Sequence, residues 1–146
     1  MIERRRDTAP ACCAAPMGPP SVLLLEGEPK SASAAREFVR EFIRHHVPDA
    51  SEDYVETVVL VACEMVTNSI RYGTEPGDSL RLTLDADHVR TRVEVQDPVR
   101  RRPQPRPESS KRDRGRGLII LDALCLEWGV DDAPLGKTVW AEVRAS

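Results

Sequence analysis

The sequence predicts an α+β fold: a two-layer α/β sandwich with a mixed, mostly antiparallel sheet and helices on one face. Three observations lead there. The elements run in the order β-α-α-β-β-loop-α-β-β, so most strands follow one another directly. Two consecutive helical stretches each carry one apolar stripe. The strand, glycine loop, helix and second strand of a doubly wound dinucleotide fold are not found in sequence.

The elements can be justified in turn. Ser21 to Glu26, "SVLLLE", is a short apolar run after prolines and predicts the first strand. After Pro29, Ser31 and Ser33 lead into "AAREFVREFIRHHV". Ala35, Phe38, Val39, Phe42 and Ile43 recur there at spacings of three and four, which is helical. Pro48 ends that helix. Ser51 then offers an N-cap, with acids in the first turn, to a longer helix over 52–72. Val55, Val58, Val59, Ala62, Met65, Val66 and Ser69 form its stripe, and Gly73 marks its stop. "LRLTLDAD" and "HVRTRVEVQD" alternate apolar and polar residues around a tight connection near Asp87, a β-hairpin pattern. "EWGVDD" and "KTVWAEVRA" close the chain as two strands joined through "APLGK".

Between these pairs the character changes. Pro98 to Arg114 holds four prolines and seven basic residues with no periodicity, which predicts a mobile loop. "RGRGLII" then restarts order with a helix through "LDALCLEW".

The 146 residues suit one domain over 21–146 behind a disordered tail at 1–20. The tail shows basic residues and prolines rather than a secretory signal. The formal net charge of −3 does not favour nucleic acid as a partner, and the basic loop lacks interleaved aromatics. No apolar run is long enough for a membrane span. Cys12, Cys13, Cys63 and Cys125 form no CxxC pair, so free thiols in a reducing, cytoplasmic setting are expected rather than zinc.

Three groups of residues carry chemistry. Glu64 and Asn68 stand four apart on the long helix and share a face, with Arg71 and Tyr72 one turn on. A carboxylate and an amide so placed can hold a hydrated Mg²⁺ and orient a nucleophile; the same spacing also suits a solvated helix face. Asp97 ends a strand just before Pro98, where it can accept from an exocyclic amine or simply start a turn. Gly115 and Gly117 open a helix, where backbone amides can approach phosphate or merely form a hinge.

In order and spacing, "EMVTNSIRYG", Asp97, the long loop, "GRGLIILDALCLEWGV" and "GKTVWAEV" resemble the superfamily of gyrase, heat-shock chaperone, histidine kinase and mismatch-repair ATPases. That superfamily has the Bergerat ATP-binding fold. Among its short single-domain forms, the chain looks like the anti-sigma factor serine kinases. The resemblance spans about Ser31 to Val143.

It implies ATP and Mg²⁺ as cofactors, with Glu64 as general base and Asn68 as magnesium ligand. Asp97 would bind the adenine amine, Arg71 would lie near the nucleotide, and Thr138 would support adenine through water. Pro98 to Arg114 would be the ATP lid. Arg114, Gly115, Arg116, Gly117 and Leu118 would form its phosphate-facing end. It further implies an anti-sigma factor with serine/threonine kinase activity, whose partners are a sigma factor or an anti-sigma-factor antagonist. The first strand and helix are where a partner, or a second copy in a homodimer, would dock. One position departs from the family: its Asp-x-Gly-x-Gly box reads "DPVRR" here. That departure keeps open a non-catalytic module that sequesters its partner with weak or no nucleotide binding.

Overall fold

The structure is a computed structural model, and it describes residues 18–98, 119–134 and 136–145. Strand β1 (Val22–Glu26) is followed by helices α1 (Ser31–His46) and α2 (Glu52–Tyr72), then by strands β2 (Ser79–Ala86) and β3 (Arg90–Asp97). Residues 119–124 are helical and lead into β4 (Glu127–Ala133) and β5 (Gly136–Arg144). The expected tail at 1–20 lies outside the described residues up to position 17, and so does the loop from 99 through 118.

The five strands form one sheet in the order β1-β2-β3-β5-β4. The sequence predicts a mixed, mostly antiparallel sheet, and every pairing found between the described strands is antiparallel. The β2–β3 hairpin closes where expected, because Asp87 Oδ1 accepts from the backbone N–H groups of Val89 and Arg90 at 2.7 and 3.0 Å. A short polar side chain that satisfies two backbone donors stabilises such a turn.

Strand alternation divides the sheet into two faces. Leu80, Leu82 and Leu84 of β2, Val93 and Val95 of β3, and Ala141 and Val143 of β5 are buried against the helices. On the opposite face Arg92 lies 4.5 Å over the Trp140 ring and pairs with Glu94 and Glu142 at 2.7 and 2.9 Å. That face is a half-exposed ladder of charge and aromatic carbon, as a sheet covered on one side requires.

Both helices bury the stripes that their periodicity defines. Ala35, Phe38, Val39, Phe42 and Ile43 of α1 are buried, as are Val55, Val58, Val59, Ala62, Met65, Val66 and Ser69 of α2. Full burial of each aliphatic side chain contributes about 1.5–3 kcal/mol relative to exposure. Ser51 caps α2, its hydroxyl accepting from the Tyr54 N–H at 3.0 Å. One turn in, the buried Tyr54 hydroxyl donates across the core to Val143 O at 3.0 Å and lies 2.8 Å from Thr91 Oγ1. This ties α2 to the middle of the sheet. The helices join through Arg40–Glu56 at 2.9 Å and through Arg36 Nη1, which is 3.4 Å from Cys63 Sγ. Thus α1 lies along the Cys63 side of α2, and Glu64 and Asn68 project about 100° and 140° further round the helix. Cys63 and Cys125 are free thiols; Cys12 and Cys13 lie outside the described residues. Among the described residues no helix is long and apolar enough to cross a membrane.

Burial raises the pKa of two core groups. The Tyr54 phenol lies above its ordinary value, chiefly through burial. The Cys125 thiol is pushed from 9.0 to about 11 by burial, with Asp122 adding to the shift. Folding therefore favours their neutral forms. Their contribution to stability is complete below the unfolded values and is lost as pH rises through the folded ones. Thermal unfolding followed by circular dichroism should show the midpoint falling between about pH 9 and 11. A Tyr54→Phe, Cys125→Ala variant, less stable at neutral pH, should lose less of its remaining stability over the same range. An equally steep fall in the variant would remove these two groups as the cause.

Candidate functional site

Asp97 is the last residue of β3, and its side chain falls on the helix-facing side of the sheet with Val93 and Val95. A carboxylate there stands among apolar residues, and it is only 2% exposed. Burial of a charge in such a place requires partners. Lys137 of β5 is its direct cross-strand neighbour, 3% exposed. Its Nζ donates to Asp97 Oδ1 at 2.9 Å and to Oδ2 at 3.0 Å. From the helix layer the Ser69 hydroxyl donates to Oδ2 at 2.9 Å. Three donated bonds thus converge on one carboxylate, from both layers of the sandwich.

Two glycines allow this approach. Gly73 caps α2 and donates its N–H to Ser69 O at 2.8 Å. Its φ of −119° is open to any residue, so backbone freedom does not explain the glycine. Contact does: a Cβ on Gly73 would stand 2.1 Å from Asp97 Oδ2. Gly136, with φ of +156°, lies against the other end of the same residue, where a Cβ would meet the Asp97 carbonyl oxygen at 1.8 Å. Helix end, strand end and strand start therefore close around Asp97 with no room for added carbon.

Glu64 and Asn68 are half-buried on α2, at the border of its core stripe and on the flank away from α1. Asn68 is the neighbour of Ser69, so the amide and the carboxylate face follow directly from the helix turn that holds Asp97. Arg71 is exposed in the last turn of the helix. The structure thus draws Asp97, Ser69 and Gly73 together and leaves Asn68 and Glu64 on the adjoining helix face.

Thr138 needs correction. Its register partners are Gln96 and Asp131, and it sits one residue after Lys137 in an unbroken ladder. Alternation therefore turns it to the outer face of the sheet, away from Asp97. Lys137 holds the inner position. The pattern that could have revealed this is present in "GKTVWAEV": Lys137 is in phase with Val139, Ala141 and Val143, which form the apolar face. Ser69 was counted only as core. Of the lid, Pro98 alone is described; Arg114, Gly115, Arg116, Gly117 and Leu118 lie outside the described residues. The helix that follows is anchored by the buried Leu121 and by a 2.8 Å bond from Trp128 Nε1 to Asp122.

The group can offer a buried acceptor for an amine, with oxygen ligands on the adjoining helix face. The Asn68 amide oxygen and the Glu64 carboxylate suit a hard cation, and Gly73 sets no side chain against the Asp97 carboxylate. Among the described residues no three His, Cys, Asp or Glu are clustered to hold a metal by themselves. Magnesium in nucleotide sites typically takes one or two protein oxygens and completes its shell with phosphate and water.

Gly73→Ala should displace the Asp97 carboxylate, since its φ is tolerable and only the contact is new. A loss of about 1–3 kcal/mol in denaturant unfolding is expected. Unchanged stability would show that Asp97 is not seated against the helix end.

Comparison with curated proteins finds no match to this chain. The family model described as a histidine kinase-like ATPase domain does match, over residues 25–143. That span contains the end of β1, helices α1 and α2, Asp97, Lys137 and nearly all of β5. The chain belongs to the histidine kinase-like ATPase domain family.

Proposed function

We propose that the chain is an ATP-binding regulatory protein that acts as an anti-sigma factor, a serine/threonine kinase on an anti-sigma-factor antagonist. One observation carries the reading: a buried, glycine-cradled carboxylate, Asp97, next to a helix face bearing Asn68 and Glu64, in a chain of this ATPase family. Asp97 accepts from the adenine 6-amino group. Asn68 offers its amide oxygen to Mg²⁺, which when bound neutralises phosphate charge. Glu64 accepts the proton of a partner's serine or threonine hydroxyl. The hydroxyl oxygen then bonds to the γ-phosphorus as the bond to the β–γ bridging oxygen breaks, and ADP leaves. Such transfers depend mainly on positioning and charge neutralisation.

A second reading has its own support. The glycines of the family box are absent from "DPVRR", and Asp97 is already engaged by Lys137. Both favour a module that sequesters a sigma factor regardless of nucleotide.

Calorimetry with ATP and Mg²⁺ separates the two, since binding weaker than about millimolar corresponds to less than about 4 kcal/mol and leaves only the module. With labelled ATP and the cognate antagonist, a serine or threonine should become labelled. Glu64→Ala should slow this by about 10²–10⁴-fold, the usual worth of a general base. Labelling at the wild-type rate in that variant would remove Glu64 as the base. Asn68→Ala should weaken binding of Mg²⁺–ATP but change binding of ATP in chelator far less.

A further inference from the structure

We infer that Lys137 sets how strongly the site reads the base, by competing with the purine 6-amino group for Asp97. The inference rests on the nucleotide reading above and deepens it. A carboxylate in water-excluded surroundings binds an amine well when the amine supplies the hydrogen bond that burial would otherwise deny it. Here that need is already met. Lys137 Nζ donates to both carboxylate oxygens at 2.9 and 3.0 Å, and the Ser69 hydroxyl adds a third bond at 2.9 Å. The lysine is also a full positive charge, whereas the 6-amino group is neutral, so its bond to Asp97 is the stronger one. An incoming adenine therefore adds little at Asp97 or must draw the ammonium away.

The register supplies a place for the ammonium to go. Asp97, Lys137 and Asp132 lie in one cross-strand row, with Asp132 of β4 directly opposite Lys137 on its other side. Adjacent partners in such a row are within side-chain reach. Swinging from one acid to the other keeps the lysine paired while it frees Asp97 for the amine. The strand position matters as much as the residue type. Lys137 is buried on the inner face with Ala141, whereas Asp132 is exposed on the edge strand β4, so a swing toward Asp132 carries the ammonium outward along the row.

The test compares ATP with the triphosphate of purine riboside, which lacks only the 6-amino group, by calorimetry on the full chain. For the wild-type protein the two affinities should agree within about threefold, because the bond at stake is already made. Lys137→Met should unfold at lower temperature without nucleotide, since it leaves a buried carboxylate without its cation. It should bind ATP at least about tenfold tighter than wild type, and prefer ATP to the analogue by at least about tenfold. Lys137→Arg, which keeps the cation, should retain the wild-type pattern.

A wild-type preference for ATP above about thirtyfold would overturn the inference, and this measurement needs no variant to fold. So would a Lys137→Met protein that binds both triphosphates as wild type does. If neither triphosphate binds either protein, the nucleotide reading fails and this inference with it. Equal binding of ATP by wild type and Lys137→Met removes the role of Lys137 alone.

Discussion

The interaction on which the rest depends is the buried ion pair of Asp97 and Lys137. A carboxylate on the apolar face of a sheet is stable only if partnered on nearly every side, and the fold supplies those partners from separate parts of the chain. β3 brings the acid and β5 the cation, in register; α2 brings the Ser69 hydroxyl. Gly73 and Gly136 give up their side chains so that the three elements can meet there. Removal of Lys137 leaves a charge without this partner inside the sandwich, and a side chain at either glycine puts an oversized group there. The pair joins β3 to β5, and the Ser69 bond to the same carboxylate joins the end of α2 to them.

α2 connects the core to that site. Over most of its length it is a buried helix, held at its start by the Ser51 cap and in its first turns by the Tyr54 hydroxyl. Toward its C-terminus the same helix offers Ser69 to the ion pair and turns Asn68 and Glu64 to the flank that α1 does not cover. A site built this way inherits the rigidity of the core. Its polar groups cannot drift from Asp97 without moving a stripe of buried valines.

The opposite face of the sheet has a different character. Arg92 lies on Trp140 and bridges Glu94 and Glu142, which ties β3 to β5 on a face that no helix covers among the described residues. Aligned cation, ring and carboxylates on one face, and an apolar layer holding the Asp97–Lys137 pair on the other, follow from one alternation along β3 and β5. That alternation decides which residues can belong to the site. It admits Lys137 and sends Thr138 outward.

The sequence by itself determined the elements and their stripes. Periodicities of two and 3.6 survive in any context, so α1, α2 and the β2–β3 hairpin were legible from Ala35 to Ile43, from Val55 to Ser69 and around Asp87. Glu64 and Asn68 were legible as one face of a helix because that depends only on spacing. The placement of Asp97 at a strand end was equally local. What only the tertiary structure decided was how distant segments meet: that β5 lies beside β3, which sets Lys137 on Asp97, and that the end of α2 touches the same carboxylate through Ser69. Gly73 shows the difference most clearly. Its position at the helix end followed from local pattern, but its reason is an oxygen 24 residues away in sequence that no helix rule contains. Local periodicity determines which way a side chain faces within its own element. Contact between elements depends on strand order and register, which packing of the whole chain decides.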